Sequence, residues 1–198
     1  MPTAHIDTFA RDNLPPPAQQ PDFLFDLPEL QFPAQLNCAT ELLDRHVREG
    51  RGDRLCVQGP KDRWTYRDLW ERANQIANVL VNEMGLVPGN RVLLHAPNTP
   101  MMVACWFGIV KAGGIVVATM PLLRAKELKA ILEIGQISHA LCDASLTEAM
   151  QEAATASVRL HQIRYFNSAA PDSLDAAMLA RVGTFDNVDT ALDDTCLI

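Results

Sequence analysis

The chain has 198 residues, enough for one sizeable core or for one domain with a smaller annex. It is 48% hydrophobic and 21% charged, an ordinary globular balance, and its formal net charge of -7 argues against a nucleic-acid backbone as the main partner. The longest apolar run, near 101–110, is broken by Gly108 and ends at Lys111, too short to span a bilayer, so no membrane partner is expected.

The opening residues lack the basic start and apolar centre of a secretory signal. Cys38, Cys56, Cys105, Cys142 and Cys196 are scattered and odd in number, and none forms a Cys-x-x-Cys pair. Neither a disulfide framework nor a zinc site is encoded, and reduced thiols in the cytoplasm are the expectation.

Residues 1–35 hold seven of the thirteen prolines, which fix φ and remove donors, so no long regular element can form there. Yet the stretch carries Phe9, Leu14, Phe23, Phe25, Leu27, Leu30 and Phe32. Those side chains predict an arm packed along a body, set apart from an α/β unit over 36–198. Asn37 can cap a helix running to about Arg48, with Leu36, Leu43 and Val47 facing inward and Gly50 and Gly52 ending it. Arg54–Gln58 and Lys61–Tyr66 read as two short strands around a Gly59-Pro60 turn, a small β-hairpin. Thr65 and Asp68 form a capping-box signature for a helix reaching Met84. Its apolar stripe runs through Leu69, Ala73, Ile76 and Leu80, and Gly85 stops it.

Arg91–His95 is a continuous apolar strand, after which Thr99 caps a helix with Pro100 at its first position. That helix, to Lys111, is apolar nearly all round and belongs between two layers. Ile115–Ala118 is a second strand, followed by a helix from about Ala125 to Gly135 and a strand at His139–Cys142. A helix from Ser145, with Glu148 completing a capping box, a strand within Arg159–Phe166 and a helix near Leu174–Arg181 continue the alternation. Strands alternating with helices of this length predict a doubly wound, mainly parallel sheet with helices on both faces. The 66–84 helix is expected to bury its stripe against that sheet.

Few residues offer chemistry. Neither G-x-G-x-x-G nor G-x-x-x-x-G-K-[ST] occurs. Lys111-Ala112-Gly113-Gly114 precedes a strand, so it reads as a helix C-terminus, with Lys111 complementing the dipole and a glycine in the left-handed cap. His5, His46, His95, His139 and His161 share no ligand spacing, and no metal site is expected. His95 closes a predicted central strand, where open α/β sheets seat ligands, but it reads as a satisfied histidine under the rim; His139 reads as structural. Met101, Met102, Cys105, Trp106 and Phe107 read as core, with one face free to line an apolar tunnel. Arg124 stands where a helix normally recruits Ser, Thr, Asp or Asn. A bound anion would explain a cation there, and the plainer alternative is a salt bridge to Glu127 or to a neighbour.

In the stretch 85–128, Gly-x-x-Pro-Gly, Pro-Asn-x-Pro, Lys-Ala-Gly-Gly and Met-Pro-Leu follow one another at the joints of a βαβα unit. With Trp64-Thr65-Tyr66 and Asp68-Leu69 before it and Asp193-Asp194-Thr195-Cys196-Leu197-Ile198 after it, the series resembles the opening of the adenylate-forming acid–CoA ligases, over nearly all of the chain. Asn13-Leu14-Pro15-Pro16 and the run Met120 to Leu128 are most similar to the aromatic-acid branch, the benzoate–CoA and 2-aminobenzoate–CoA ligases.

The resemblance implies a ligase that joins a carboxylate to ATP with release of pyrophosphate, then passes the acyl group to coenzyme A. ATP, magnesium, coenzyme A and a small carboxylic acid are the implied cofactors and partners. The family's phosphate loop, aryl pocket and catalytic lysine match no position here, so no catalytic residue is assigned. Pro121, Leu122, Leu123 and Arg124, in the turn after the second strand, fall near the side where relatives seat coenzyme A. The expectation is therefore an N-terminal ligase portion that stops before the phosphate loop. Alone it would be inactive, bind no cofactor tightly, and associate with itself through uncovered faces. The rival readings are a self-contained nucleotide-binding domain, disfavoured by the missing phosphate loop, and a non-catalytic interaction module.

Overall fold

The computed structural model describes residues 3–22 and 24–198, so Pro2 and Phe23 of the proline-rich arm lie outside the described residues. In chain order, a short helix α1 (Phe9–Asp12) precedes a π turn at Thr40–Asp44 that runs into α2 (Arg45–Arg48). Strands β1 (Leu55–Gln58) and β2 (Arg63–Thr65) form an antiparallel hairpin and lead into α3 (Tyr66–Asn82). The alternating part is β3 (Arg91–His95), α4 (Pro100–Lys111), β4 (Ile115–Thr119), α5 (Ala125–Ile134), β5 (His139–Asp143), α6 (Thr147–Thr155), β6 (Gln162–Phe166) and α7 (Leu174–Leu179). Its four strands are parallel in the order β4–β3–β5–β6. Among the described residues no helix is long and apolar enough to cross a membrane.

Two apolar layers sandwich the sheet. Val92, Leu94, Val116 and Leu141 face one way, into a core with Ile76, Leu80, Ile109 and Leu174 from α3, α4 and α7. Leu93, Val117, Ala140 and Cys142 face the other, against Leu128, Leu132 and Met150 from α5 and α6. β3 and β5 are therefore buried at every position, which is why neither shows a polar alternation and β3 reads as an apolar run.

The start of α3 is fixed by a reciprocal box: Asp68 N–H donates to Thr65 Oγ1 (3.1 Å) and Thr65 N–H to Asp68 Oδ2 (2.8 Å). Its stripe of Leu69, Ala73, Ile76 and Leu80 is at most 1% exposed. α4 crosses it so closely that a Cβ on Gly108 would stand 2.6 Å from Ile76 Cγ2, and only glycine fits there.

The arm divides into two parts. In its first part, Ile6 and Asp7 amides both donate to Pro88 O (3.0 Å each), and Asp7 pairs with Arg91. Gly89 takes φ +90°, and a Cβ there would lie 2.1 Å from Asp7 O. Asp194, nearly fully buried, accepts from Thr3 Oγ1, Ala4 N (3.0 Å) and Arg11 Nη2 (3.0 Å). The second part does not follow the packed arm foreseen from its aromatic residues: Leu14, Phe25, Leu27 and Phe32 are exposed. Proline-fixed backbone makes only short local turns here, at Pro17–Gln19 and Pro28–Leu30.

The 111–114 stretch closes α4 as expected, with Lys111 in the last turn and Gly113 at φ +72°. Lys111 is fully buried there, with Nζ donating to Asp44 Oδ1 and to Asn187 Oδ1 (3.2 Å). Burial lowers its pKa and the Asp44 carboxylate works against that. The turn after β5 is capped by Asp143 and not by a Ser145–Glu148 box. Asp143 Oδ1 accepts from Ser145 N–H (2.9 Å) and Ser145 Oγ–H (2.6 Å), and a single 3₁₀ turn, Ala144–Leu146, precedes α6.

Candidate functional site

The strand order places a switch point at the carboxyl ends of β3 and β5. From β3 the chain crosses to β4 through α4 on one face; from β4 it passes back over β3 to β5 through α5 on the other. The loops leaving β3 and β5 therefore diverge, and open α/β sheets bind ligands in such a crevice.

On the α4 side a cavity of about 650 Å³ opens between the β1–β2 hairpin tip and the start of α4. Lys61, Trp64, Asn98, Met101 and Asn167 line it. A neighbouring cavity of about 490 Å³ shares Trp64, Met101 and Asn167 and adds Arg72, Asp175 and Met178. The Arg72 guanidinium lies 4.3 Å from the Trp64 ring centroid. Asn167, just past β6, adopts φ +56° and donates from Nδ2 to Asp143 Oδ2 at 2.6 Å. Sequence reading overlooked Asn167. Asparagine tolerates the left-handed region, but its partner is 24 positions away and no local pattern announces it.

Of the apolar set on α4, Met101 reaches these cavities while Cys105 is sealed in the core, its thiol pushed well up by burial. Trp106 and Phe107 are partly buried and meet edge-to-face at 5.1 Å. The helix is thus mainly core, with Met101 at the cavity wall.

On the α5/α6 side a smaller cavity of about 210 Å³ lies between the two helix starts. Pro121, Leu123 and Arg124 line it from one side, Ser145, Glu148 and Glu152 from the other. Leu122 is not part of the lining and is 72% exposed. The salt bridge between Arg124 and Glu127 does not form. Glu127 Oε2 instead accepts the Arg124 backbone N–H (3.0 Å), closing half of a capping box. Among the described residues the exposed Arg124 guanidinium has no ion-pair partner.

Between these cavities a polar row crosses the sheet. Thr119, His95, Cys142 and Tyr165 occupy one register line on adjacent strands, so their side chains share the α5/α6 face. His95 is fully buried, and its Nδ1 bonds to Thr119 Oγ1 at 2.9 Å. The satisfied histidine foreseen for this position is only half satisfied: Nε2, and likewise the Tyr165 hydroxyl, is buried and bonded to no described residue. Burial lowers the His95 pKa, and it pushes Cys142 up to about 12, with Asp143 adding to the effect. Burial and then Cys142 push Tyr165 up to about 12. At neutral pH the row is uncharged, and it holds unused hydrogen-bonding capacity. His139, at the opposite end of β5, bonds through Nε2 to Met84 O (2.9 Å) and through Nδ1 to Ser138 Oγ (2.8 Å), the structural role expected of it.

A family model described as AMP-binding enzyme matches residues 43–198. The crotonobetaine/carnitine–CoA ligase of Salmonella paratyphi A is 37% identical over 81 residues, 41% of this chain and 16% of that protein. Its counterpart in Shigella flexneri is 36% identical over 78 residues, 39% and 15% of the two lengths. An anthranilate CoA ligase solved with anthranoyl-AMP superposes with a TM-score of 0.77 at 23% identity, over 84% of this chain and 31% of that one. A benzoate CoA ligase from Burkholderia xenovorans gives 0.73 at 22%, over 82% and 32%. The matched region spans about a sixth of the curated relatives and about a third of these structures.

Proposed function

We propose, from the premise that this chain belongs to the AMP-binding enzyme family, that it supplies the N-terminal α/β part of an ATP-dependent aryl-acid–CoA ligase. The single observation that carries the reading is the family match over 43–198, on a fold that matches the N-terminal domain of acyl-CoA synthetases. The proposed reaction joins a carboxylate to Mg-ATP with loss of pyrophosphate. The CoA thiol then attacks the acyl carbon and AMP leaves.

The aryl reading draws on Asn13–Pro16 and Met120–Leu128 and on the names of the two neighbours of similar fold. The curated relatives favour a second reading, a quaternary-ammonium acid such as crotonobetaine or carnitine.

Arg124, with Pro121 and Leu123, is assigned to the coenzyme A side, and Leu122 to its rim. Glu148 and Glu152 oppose a polyanion deep in that cavity. The neutral amide arm of coenzyme A suits the cavity, and a phosphate suits the exposed guanidinium.

Two assays test the proposal. The 198-residue chain, given ATP, magnesium, CoA and a panel of benzoates, releases no pyrophosphate above a no-protein control, because adenylyl transfer needs positioned donors and a metal that no motif here supplies. A benzoate–CoA ligase carrying residues 43–198 of this chain in place of its own matching segment retains benzoate-dependent pyrophosphate exchange. Arg124→Ala in that hybrid lowers thioester formation roughly tenfold, the loss of one charge-assisted hydrogen bond, and leaves exchange unchanged. Activity of the chain alone, a folded but inactive hybrid, or equal loss in both half-reactions overturns the corresponding assignment.

A further inference from the structure

The five cysteines are all free, and two of them meet. Cys38 stands beside Asn37, whose Oδ1 caps the helical segment that follows by accepting the Ala39 amide (2.9 Å). Cys196 lies in the last described segment, which runs parallel to β4: Val116 N–H donates to Cys196 O (3.0 Å) and Ile198 N–H to Val116 O (2.9 Å). The two sulfurs are 3.9 Å apart although 158 positions separate them. Both residues are half-buried, and both line a cavity of about 70 Å³ with His5, Thr190 and Asp194. Room for one water needs roughly 10–15 Å³, so a molecule of peroxide size fits beside the thiols.

We propose that Cys38 and Cys196 form a redox modification site, closed to a disulfide by a small peroxide and reopened by a thiol reductant. Cys38 thiolate attacks one peroxide oxygen and the O–O bond breaks. The product is a sulfenic acid, and the departing hydroxide takes up the proton lost from the thiol, leaving as water. The Cys196 sulfur then attacks the Cys38 sulfur, the S–O bond breaks, and the sulfenic oxygen leaves as a second water with the Cys196 proton. In sum two thiols lose two electrons and two protons, and one peroxide is reduced to two waters. The sulfurs must close from 3.9 Å to about 2.0 Å, a shift that a segment bridged to β4 at Leu197 can supply.

The order of attack follows from the pairing. When Cys38 ionises, the Cys196 thiol donates to it, which lowers the Cys38 pKa to about 6 and raises that of Cys196. The remaining thiols lack this arrangement: burial raises Cys56, and Cys105 and Cys142 are sealed in the core. Closure would tie the segment beside β4 to the 38–48 helical segment, fixing where the chain leaves the sheet.

The test treats the reduced 198-residue chain at pH 7 with one equivalent of hydrogen peroxide, then digests it without reductant for mass spectrometry. The expected product is a Cys38–Cys196 linked peptide pair lighter by two hydrogens and separated again by a thiol reductant. Before oxidation, iodoacetamide labels Cys38 at least about tenfold faster than Cys56. Cys196→Ser leaves a sulfenic acid on Cys38 that dimedone traps, and Cys38→Ser leaves Cys196 unoxidised. Oxidised protein without the linked pair, or equal labelling of Cys38 and Cys56, overturns the proposal. The wild-type readouts stand even if a serine variant fails to fold.

Discussion

The two ends of the parallel sheet are finished in opposite ways. At the amino end a buried cation finds a partner for each of its nitrogens. Arg91, 4% exposed, donates from Nε to Gly135 O (2.9 Å), from Nη2 to Gln136 O (2.8 Å), and from Nη1 to Gly89 O (3.1 Å) and Asp7. Its guanidinium also lies 4.6 Å from the Phe9 ring centroid. At the carboxyl end His95 Nε2 and the Tyr165 hydroxyl are buried without partners, Asn167 sits in the left-handed region, and three cavities open. Buried polar groups cost stability when unpaired, and folds concentrate such costs where they bind. Arg91 ties the amino end together, while the carboxyl end keeps unpaired buried polar groups beside its cavities.

The largest test of that contrast is Arg91→Ala. It removes the cation between the arm, the β3 start and the turn after α5, taking a donor from three carbonyls and leaving Asp7 with the Asn90 and Phe9 donors alone. The expected loss is about 3–5 kcal/mol, the usual result of deleting one partner of a buried ion pair. Urea denaturation with intact protein as reference measures it. A loss under about 1 kcal/mol would mean that the amino end is no more committed to stability than ordinary surface.

Acid gives the next effect. Burial depresses His5, His95 and His139 below 6.5, so the unfolded chain binds protons that the native chain refuses. Their contribution is fully present above pH 6.5 and is lost as pH falls through the lower native values. Asp7, Asp68 and Asp194 are held below 3.8: burial works against ionisation at Asp7 and Asp194, but the hydrogen bonds each carboxylate accepts prevail. Their contribution persists above pH 3.8 and is lost only below it. Stability is therefore expected to fall in two steps. Denaturation midpoints that stay flat between about pH 8 and pH 5 would show that these histidines charge freely in the native state. The double change His95→Gln with His139→Gln should flatten the first step.

What the sequence disclosed and what it hid divide along the same physical line. β3, α4 and the α3 start fall where expected because their signals are local: an unbroken apolar run, Thr99 before Pro100, Thr65 three residues before Asp68. The parallel order followed from the alternation of elements. Arg91–Asp7, Lys111–Asp44 and Asn167–Asp143 were invisible because their partners lie 84, 67 and 24 positions apart. The turn after β4 was flagged through Arg124, and Arg124 does reach a cavity. The larger cavity was not foreseen, since it needs the hairpin, α4 and the residue after β6 brought together.

The smallest expected effect is the most discriminating. Tyr165 lies in the polar row at the carboxyl end, and its ring packs with Ile163 against the α5/α6 core. Its hydroxyl is buried and bonded to no described residue. Tyr165→Phe keeps the ring and deletes only the oxygen. A buried hydroxyl with a partner contributes about 1 kcal/mol, and one without a partner is a cost of similar size. The substitution should therefore leave stability unchanged or raise it by up to about 1 kcal/mol, while the same hydroxyl deletion at Thr65, whose Oγ1 accepts the Asp68 amide at 3.1 Å, should lower it by about 1 kcal/mol. A stabilised Tyr165→Phe chain supports an end of the sheet that bears an unpaid polar group for binding. A loss above about 1 kcal/mol shows the hydroxyl already engaged in the unliganded protein, and the contrast between the two ends then fails at this position.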